Sequence, residues 1–262
     1  MVWPNLTKLF PVAEPTGFRE LRSEFVLRHA ASFRGKRGFV VGNGPSLQPG
    51  DLDRLVGEIS FGANLIHMIF PDTEWRPNFV SVTDSRVWSK LSDHPVPEIP
   101  RLVDSSFQGL SLTMNVVPFK RLARLSSDYY RLRLAGKAFS KDITRGYFGG
   151  YSVTFFNIQL AFALGLNPVY LIGVDHVFRD NKSKFVSRPV RVDSPSDHFH
   201  PGYRRNGEIV NSAPVRSIER AMRSLGRIEE DTGFKVIDLT PGGRMPGLEK
   251  GLFDQVVGTP EK

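Results

Sequence analysis

The chain of 262 residues contains no cysteine, so it forms neither disulfides nor thiolate metal sites. This absence is typical of proteins in a reducing compartment. Apolar runs of roughly 20 residues, which a membrane-spanning helix requires, are also missing. The N-terminal residues have neither the basic start nor the apolar stretch of a secretory signal. We therefore expect a cytoplasmic protein, with peripheral contact at the inner face of the membrane as an option.

Positive charge predominates in this sequence. The net charge is +8, and basic residues are concentrated at 34–37, 120–133 and 179–191. Such a balance favours anionic partners, namely a nucleotide, a nucleic acid or an anionic membrane surface. Basic clusters are also common on ordinary solvated surface. Because no zinc-finger or RNA-recognition signature accompanies them, we do not expect nucleic acid to be the partner.

Short apolar runs and segments of helical spacing alternate along the chain. This alternation predicts an α/β protein with a Rossmann-like, doubly wound and mainly parallel sheet. A helix over 17–34 precedes the first strand as an N-terminal helical extension. The predicted strands are 38–41, 59–64, 79–84, 102–103, 169–175 and 235–239, and the other predicted helices are 51–55, 152–164 and 213–232.

The pattern divides the chain into three parts. Residues 1–36 form the extension, 37–245 the nucleotide-binding catalytic domain, and 246–262 a C-terminal tail without regular structure. Within the domain, the weak pattern over 95–147 indicates a lid or insert, in which 119–134 is a basic helix or a mobile lid. A long loop is expected over 176–211.

A glycine-rich loop directly follows the first predicted strand, with the sequence GNGPSL from Gly42 to Leu47. Glycine lets a backbone turn tightly and approach a ligand, and the amides of such a loop can form an anion site. The motif lacks the Gly-Lys-Ser/Thr ending of a Walker loop. An ordinary tight turn remains the alternative, but an asparagine amide can both donate and accept at a ligand. The predicted nucleotide-binding residues here are Gly42, Asn43, Gly44, Pro45 and Ser46.

The chain resembles a known family in this loop and in four further motifs, at 62–64, 153–165, 170–176 and 197–203. It is similar to the bacterial branch of the 6-hydroxymethylpterin diphosphokinase-like domain family. That family is related to the bacterial sialyltransferases that use CMP-activated sialic acid. The resemblance covers roughly residues 33–245, with the motifs in the same order.

The resemblance implies roles for several residues. In the related sialyltransferases, the asparagines that match Asn43 and Asn64 hold the CMP moiety. The diphosphokinase-like family tends to have an acidic residue at the position of Asp84, where it could bind Mg²⁺ or a sugar hydroxyl. Tyr203 could donate to a phosphate, as tyrosines do at the leaving-group site of the sialyltransferases. Asparagine and aspartate also commonly cap turns, so a structural role for Asn64 and Asp84 stays open.

The predicted catalytic residues are Asp175, His198 and His200. Histidine titrates near neutrality and can deprotonate an acceptor hydroxyl. We favour His198 as the base and place His200 second. Asp175 follows a buried strand together with Gly173, and its carboxylate could bind a ribose hydroxyl, a metal or an acceptor, or make a loop hydrogen bond. We predict no metal site, because alternating residues such as Asp197, His198 and His200 do not supply a fixed tetrahedral set.

These observations favour a glycosyltransferase-like enzyme that uses a nucleotide-activated sugar, with a CMP-linked acidic sugar as the expected donor. It would act in cell-envelope polysaccharide synthesis on a glycan or lipid-linked acceptor, without a required cofactor. The first alternative is transfer of diphosphate from ATP to a hydroxymethyl pterin, with Mg²⁺ bound by Asp84 and Asp175. The second is a non-catalytic nucleotide- or glycan-binding module. The sialyltransferases have a tyrosine pair just after the position of Asp175, and this sequence lacks it.

Overall fold

The computed structural model describes residues 14–91, 99–108, 110, 115–122, 138–179, 181–193 and 197–258. The strands are β1 (Gly38–Val41), β2 (Ser60–Ala63), β3 (Phe79–Val82), β4 (Arg101–Asp104), β5 (Val116–Phe119), β6 (Val169–Ile172), β7 (Lys182–Ser183), β8 (Pro189–Val192), β9 (Glu208–Asn211), β10 (Ala213–Pro214), β11 (Val236–Asp238) and β12 (Glu249–Lys250). The helices are α1 (Phe18–Phe33), α2 (Pro49–Asp53), α3 (Ser85–Leu91), α4 (Val153–Ala163), α5 (Val215–Thr232) and α6 (Phe253–Val257), and the 3₁₀ segments are Ile66–Asp72 and Pro201–Tyr203.

The main feature is a sheet of eight strands in the order β12-β11-β6-β1-β2-β3-β4-β5. Each pairing between neighbours is parallel. Parallel sheets are usually covered on both faces, and their strands are therefore apolar along their whole length. All four residues of β1, of β2 and of β3 are buried. The predicted Rossmann-like α/β fold is confirmed.

Successive side chains of β1 pack on opposite faces of the sheet. Val40 belongs to the core cluster that contains Phe25 of α1 and Phe155 of α4. Phe39 and Val41 belong to a second cluster, with α2 and the first 3₁₀ segment. This alternation follows from the two-residue period of a strand. Helix α1, the predicted N-terminal extension, packs against the edge strand β5.

Helix α4 matches the helix predicted over 152–164. Its N-cap is Ser152, whose Oγ accepts a hydrogen bond from the amide of Thr154 at 3.2 Å. It is followed by Gly165, which has a φ of 76° that glycine adopts without strain. Every residue from Thr154 to Ala161 is buried, so the helix lies within the core.

Strand β5 was not predicted, and the basic helix expected from Phe119 is wrong at its start because Phe119 ends this strand. Strand β5 contains Pro118 and lies at the edge of the sheet, where a residue without an N–H is tolerated. Residues 95–147 thus contribute β4 and β5 to the main sheet. The segment 123–137 lies outside the described residues, so the lid remains a prediction there.

The loop expected over 176–211 and the unstructured tail were also wrong in part. The first contains β7, an antiparallel hairpin of β8 and β9, and a 3₁₀ segment, and the second contains β12 and α6. These strands have two to four residues, and several carry exposed charged side chains, as at Glu249–Lys250. Such short polar strands have no hydrophobic periodicity to detect.

The order of the strands reverses between β1 and β6. From β1 the chain builds the sheet outward through β2 to β5, and then returns to the other side of β1 with β6. In open α/β sheets, ligands bind in the crevice at the carboxyl ends of the strands at such a switch point. Here that crevice lies between the loops that begin at Gly42 and Gly173. No helix in the described ranges has the length and apolar character needed to cross a bilayer.

Candidate functional site

A cavity of about 880 Å³ lies at this switch point. It brings together most of the residues that the sequence predicted for the site. The predicted residues that line it are Gly42, Asn43, Gly44, Asn64, Asp84, Gly173, Asp175, His198 and Tyr203. Pro45, Ser46 and His200 are not among its lining residues.

The glycine-rich loop is bonded to the loop that follows β6. The amide of Gly42 donates to the carbonyl oxygen of Ile172, and that of Gly44 to the carbonyl oxygen of Gly173, both at 2.8 Å. The amide of Ser46 donates to Asp175 Oδ1 at 3.2 Å. These three amides therefore have partners within the protein. An anion would therefore have to compete with these bonds at the three amides. Nucleotide binding by the loop stays a prediction.

The glycines of this loop allow two protein segments to approach each other. A Cβ on Gly44 would lie 1.8 Å from Asp175 Oδ2, and one on Gly42 would lie 2.2 Å from the carbonyl oxygen of Gly173. Both distances are far below van der Waals contact. The glycines are thus required for packing across the switch point, whatever the ligand.

Asp175 is bonded to the glycine-rich loop as well as lining the cavity. Its Oδ2 accepts from the hydroxyl of Ser46 at 2.9 Å, in addition to the amide bond at Oδ1. Burial raises the pKa of Asp175, although the two bonds from Ser46 act in the opposite direction. The loop hydrogen bond considered as its structural alternative is present, and its catalytic role remains a prediction.

Four buried acceptor oxygens around the cavity have no hydrogen-bond partner among the residues that the structure describes. They are the Oδ1 atoms of Asn43, Asn64, Asn181 and Asp197, and all four residues line the cavity. A buried polar atom without a partner costs about 1–3 kcal/mol. A ligand that donates hydrogen bonds would remove this cost. Asn181 was missed in the sequence because it lies in a polar loop with no recognisable motif.

Asp84 caps helix α3. Its Oδ1 accepts from the amide of Arg86 at 2.9 Å, and both carboxylate oxygens accept from Asn211 Nδ2 at 3.0 Å. The turn-capping role considered for Asp84 is therefore present, while its side chain also lines the cavity. In the part of the chain that the structure describes, no group of three or more His, Asp or Glu side chains could hold a metal ion.

His198 stacks on Tyr203, with ring centroids 3.9 Å apart and planes inclined by 15°. Burial, with smaller contributions from Arg204 and Lys90, lowers the pKa of His198 to about 3. The imidazole is therefore neutral at pH 7, but a group with so low a pKa is a weak general base. Burial also raises the pKa of Tyr203 to about 12, against hydrogen bonds from the Leu65 backbone and the Asn64 side chain that lower it.

His200 has a structural role in the 3₁₀ segment Pro201–Tyr203. Its Nδ1 accepts a hydrogen bond from the amide of Gly202 at 3.0 Å and caps that segment. The structure does not bring His200 to the cavity, where a base would have to act.

Backbone strain is concentrated at the cavity. Among the described residues, the non-glycine residues with positive φ are Asn64, Tyr151 and His176, at 54°, 60° and 56°, and all three line the cavity. Such conformations cost about 1–3 kcal/mol each and are commonly found at functional sites.

His176 is a second histidine at the cavity. Its side chain is 4% exposed, and Nε2 lies 3.3 Å from Oε1 of Glu219 on α5. Its ring makes an edge contact with Phe178, with centroids 5.3 Å apart. The other ring nitrogen, Nδ1, is buried and has no hydrogen-bond partner in the described part of the chain. A carboxylate in this position fixes the orientation of an imidazole and keeps the proton on Nε2.

Arg121 was not singled out from the sequence, where it is one of many residues in a basic cluster. It lines the cavity, and its Nε lies 2.6 Å from Asp104 Oδ2 and donates to the hydroxyl of Tyr147 at 3.0 Å. That hydroxyl donates in turn to Asp104 Oδ2 at 2.6 Å. Burial acts to lower the pKa of Arg121, but Tyr147 and Asp104 raise it above its ordinary value.

Comparisons with known proteins add little to this picture. No family model matches the chain, and no curated protein is similar to it in sequence. Among solved structures, it is similar to the crystal structure of a mammalian sialyltransferase in complex with Gal-beta-1-3GalNAc-ortho-nitrophenol. The identity is 11%, 87% of this chain and 84% of that chain are covered, and the TM-score is 0.37. A likeness of this degree establishes no shared function, and the resemblance to the diphosphokinase-like family remains a prediction.

Proposed function

We propose that the protein is a glycosyltransferase-like enzyme that binds a nucleotide-activated sugar in the cavity at the switch point. The donor proposed is a CMP-linked acidic sugar, and the acceptor is a glycan or lipid-linked hydroxyl in cell-envelope synthesis. The observation that carries this proposal is the set of unpaired acceptor oxygens at Asn43, Asn64, Asn181 and Asp197.

Unpaired acceptors suit the donor groups of a nucleoside. The amino group of a base and the hydroxyls of a ribose both donate hydrogen bonds, and three of the four acceptors are uncharged amides that need no metal. A cavity of about 880 Å³ lies within the usual range for ligand sites of about 300–1,000 Å³. Two cations, Arg121 and Arg204, line the same cavity and would offset the negative charge of a donor.

We favour His176 over His198 as the base that removes the acceptor proton. Glu219 would keep the proton of His176 on Nε2, so that Nδ1 is the nitrogen with a free lone pair. His198, with a pKa of about 3, would be the weaker base. His176→Asn should retain donor binding and lose transfer, whereas retention of transfer in His176→Asn and its loss in His198→Asn would return the role to His198.

The test of the proposed function is calorimetric binding of CMP, CDP, UDP, GDP and ATP, each with and without Mg²⁺. We expect CMP to bind without metal and Asn43→Ala or Asn64→Ala to weaken it about tenfold, equivalent to about 1.4 kcal/mol. The control is Asn206→Ala, since Asn206 is exposed and does not line the cavity.

Other outcomes of this titration, combined with an assay for sugar transfer, would replace the proposed function. Binding of ATP that requires Mg²⁺ would favour the transfer of diphosphate. Tight CMP binding without turnover of any CMP-linked sugar, even with a hydroxyl-rich acceptor, would favour a binding module. Failure of all five nucleotides to bind would rule out a nucleotide site.

A further inference from the structure

The guanidinium of Arg121 is supported from inside the protein. Asp104 and Tyr147, which contact it, are 1% and 0% exposed, whereas the Arg121 side chain is 38% exposed. Its Nη2 also donates to the carbonyl oxygen of Thr83. These contacts use Nε and Nη2, and they hold the guanidinium at the cavity wall in a single orientation.

Asp104 does not depend on Arg121 alone for its hydrogen bonds. Its Oδ1 accepts from the amide and the hydroxyl of Ser106 at 3.0 and 2.6 Å, and its Oδ2 accepts from Tyr147. The carboxylate therefore has three neutral donors besides the guanidinium. Within the described ranges, the bonds of Arg121 leave Nη1 unused, so Asp104 can orient the guanidinium while its outer edge binds a second anion.

Arg121 lies two strands away from the glycine-rich loop, across the sheet. It contacts Thr83 just after β3, whereas Asn43 follows β1, and β2 lies between these two strands. Neighbouring strands are about 4.8 Å apart, so the two sites are separated by roughly 10 Å. A ligand that occupied both positions would have to carry its anionic group about that far from the part bound at Asn43. Gly149 packs against Arg121, since a Cβ there would lie 3.4 Å from its Cδ.

We propose that Arg121, positioned by Asp104 and Tyr147, binds an oxyanion of the donor at the β3 end of the cavity. The oxyanion is the carboxylate of an acidic sugar or a donor phosphate, which present the same chemistry to a guanidinium. This inference rests on the proposed function and assigns to one residue the preference for an acidic donor. Asp104 and Tyr147 are positioning residues.

The experiment compares the affinities of cytidine, CMP and a CMP-linked acidic sugar for the wild type, Arg121→Gln and Arg205→Gln. We expect Arg121→Gln to bind cytidine as the wild type does and to lose at least tenfold in affinity for a ligand that carries the oxyanion. If Arg121→Gln already loses affinity for CMP, the group that Arg121 binds is the phosphate. If it loses affinity only for the CMP-linked acidic sugar, that group is the carboxylate. Arg205 is exposed and outside the cavity lining, so its variant should match the wild type.

The same affinity of Arg121→Gln and the wild type for all three ligands would overturn the inference. If Arg121→Gln does not fold, Tyr147→Phe serves instead, because it removes one support of the guanidinium while keeping its charge. Its affinity for the anionic ligand should then fall several-fold, with cytidine binding unchanged.

A failure of the proposed function can be distinguished from a failure of this site. If the wild type binds no nucleoside or nucleotide, binding of inorganic phosphate and of free N-acetylneuraminate is measured by NMR. Binding that is lost in Arg121→Gln would then support the oxyanion site without the nucleotide. Absence of binding to either probe would overturn it.

Discussion

Ser46 donates two hydrogen bonds to Asp175, from its amide at 3.2 Å and from its hydroxyl at 2.9 Å. The two residues belong to the loops that follow β1 and β6, which are neighbours in the sheet although far apart in sequence. Their bonds join these loops across the switch point. The wall of the cavity is therefore fixed by protein contacts before any ligand binds.

The first prediction concerns this pair. Asp175→Ala would leave both donors of Ser46 without an acceptor, so we expect the free energy of unfolding to fall by about 1–3 kcal/mol. Asp175→Asn keeps one oxygen acceptor and should lose less. Urea unfolding measures both. The control is Asp193→Ala, since Asp193 pairs with Arg191 on the open surface and should change stability by less than about 0.5 kcal/mol. An Asp175→Ala variant as stable as this control would contradict the prediction.

The second prediction compares two glycines. A Cβ on Gly44 would lie 1.8 Å from Asp175 Oδ2, whereas one on Gly50 would meet nothing within 4 Å. Gly44→Ala should therefore destabilise the protein by about 1–3 kcal/mol or more, because a well-packed contact must open. Gly50→Ala, at the start of α2, should be neutral or slightly stabilising. Thermal unfolding of the two variants tests this. Equal unfolding midpoints would show that the glycine-rich loop accommodates a Cβ at position 44 without a loss of stability.

The extent to which the fold and the site could be predicted from the sequence differs between elements. The buried strands and α4 were predictable because their apolar runs and glycine ends reflect the core. The strands β7 to β10 and β12 were not, because they have only two to four residues each and are too short to show a hydrophobic period. Asn43, Asn64 and Asp175, which the sequence motifs singled out, line one cavity, and their roles there stay predictions. The partners of the glycine-loop amides could not be predicted, since they come from the loop after β6.

The same limit applies to the charged residues of the site. Arg121 is one arginine in a basic cluster, and its significance comes from Asp104 and Tyr147, which are 17 and 26 residues away in sequence. Glu219 reaches His176 from a different helix. Pairs of this kind form only when the sheet assembles, so a linear pattern does not reveal them.

The third prediction concerns the support of Arg121. Asp104→Asn removes the charge that faces the guanidinium and changes a buried, multiply bonded carboxylate to an amide. We expect a loss of about 1–3 kcal/mol in the free energy of unfolding, because an amide cannot accept all the hydrogen bonds that the buried carboxylate accepts. The loss from the charge itself is smaller, since Arg121 is 38% exposed and solvent screens it. Tyr147→Phe should cost about 1 kcal/mol, the usual value of one hydrogen bond. Chemical denaturation measures both, and the reverse order of the two losses would show that Tyr147 is the main support.

The last prediction concerns the pH dependence of stability that His198 causes. Burial lowers its pKa from 6.5 to about 3, so the unfolded chain binds the proton more readily than the folded protein does. The contribution to stability is complete above pH 6.5 and is lost as the pH falls towards 3, by up to about 1.4 kcal/mol per pH unit. Between pH 7 and pH 5, the wild type should therefore lose about 2 kcal/mol more than His198→Gln.

Urea unfolding of both proteins at the two pH values checks this, and the comparison between them removes the contribution of other titrating groups. The same pH dependence in the two proteins would show that His198 titrates normally. A bound donor phosphate should reduce the difference, because a nearby negative charge favours the imidazolium and raises its pKa. Urea unfolding at the two pH values in the presence of a bound nucleotide therefore shows whether the phosphate lies beside His198.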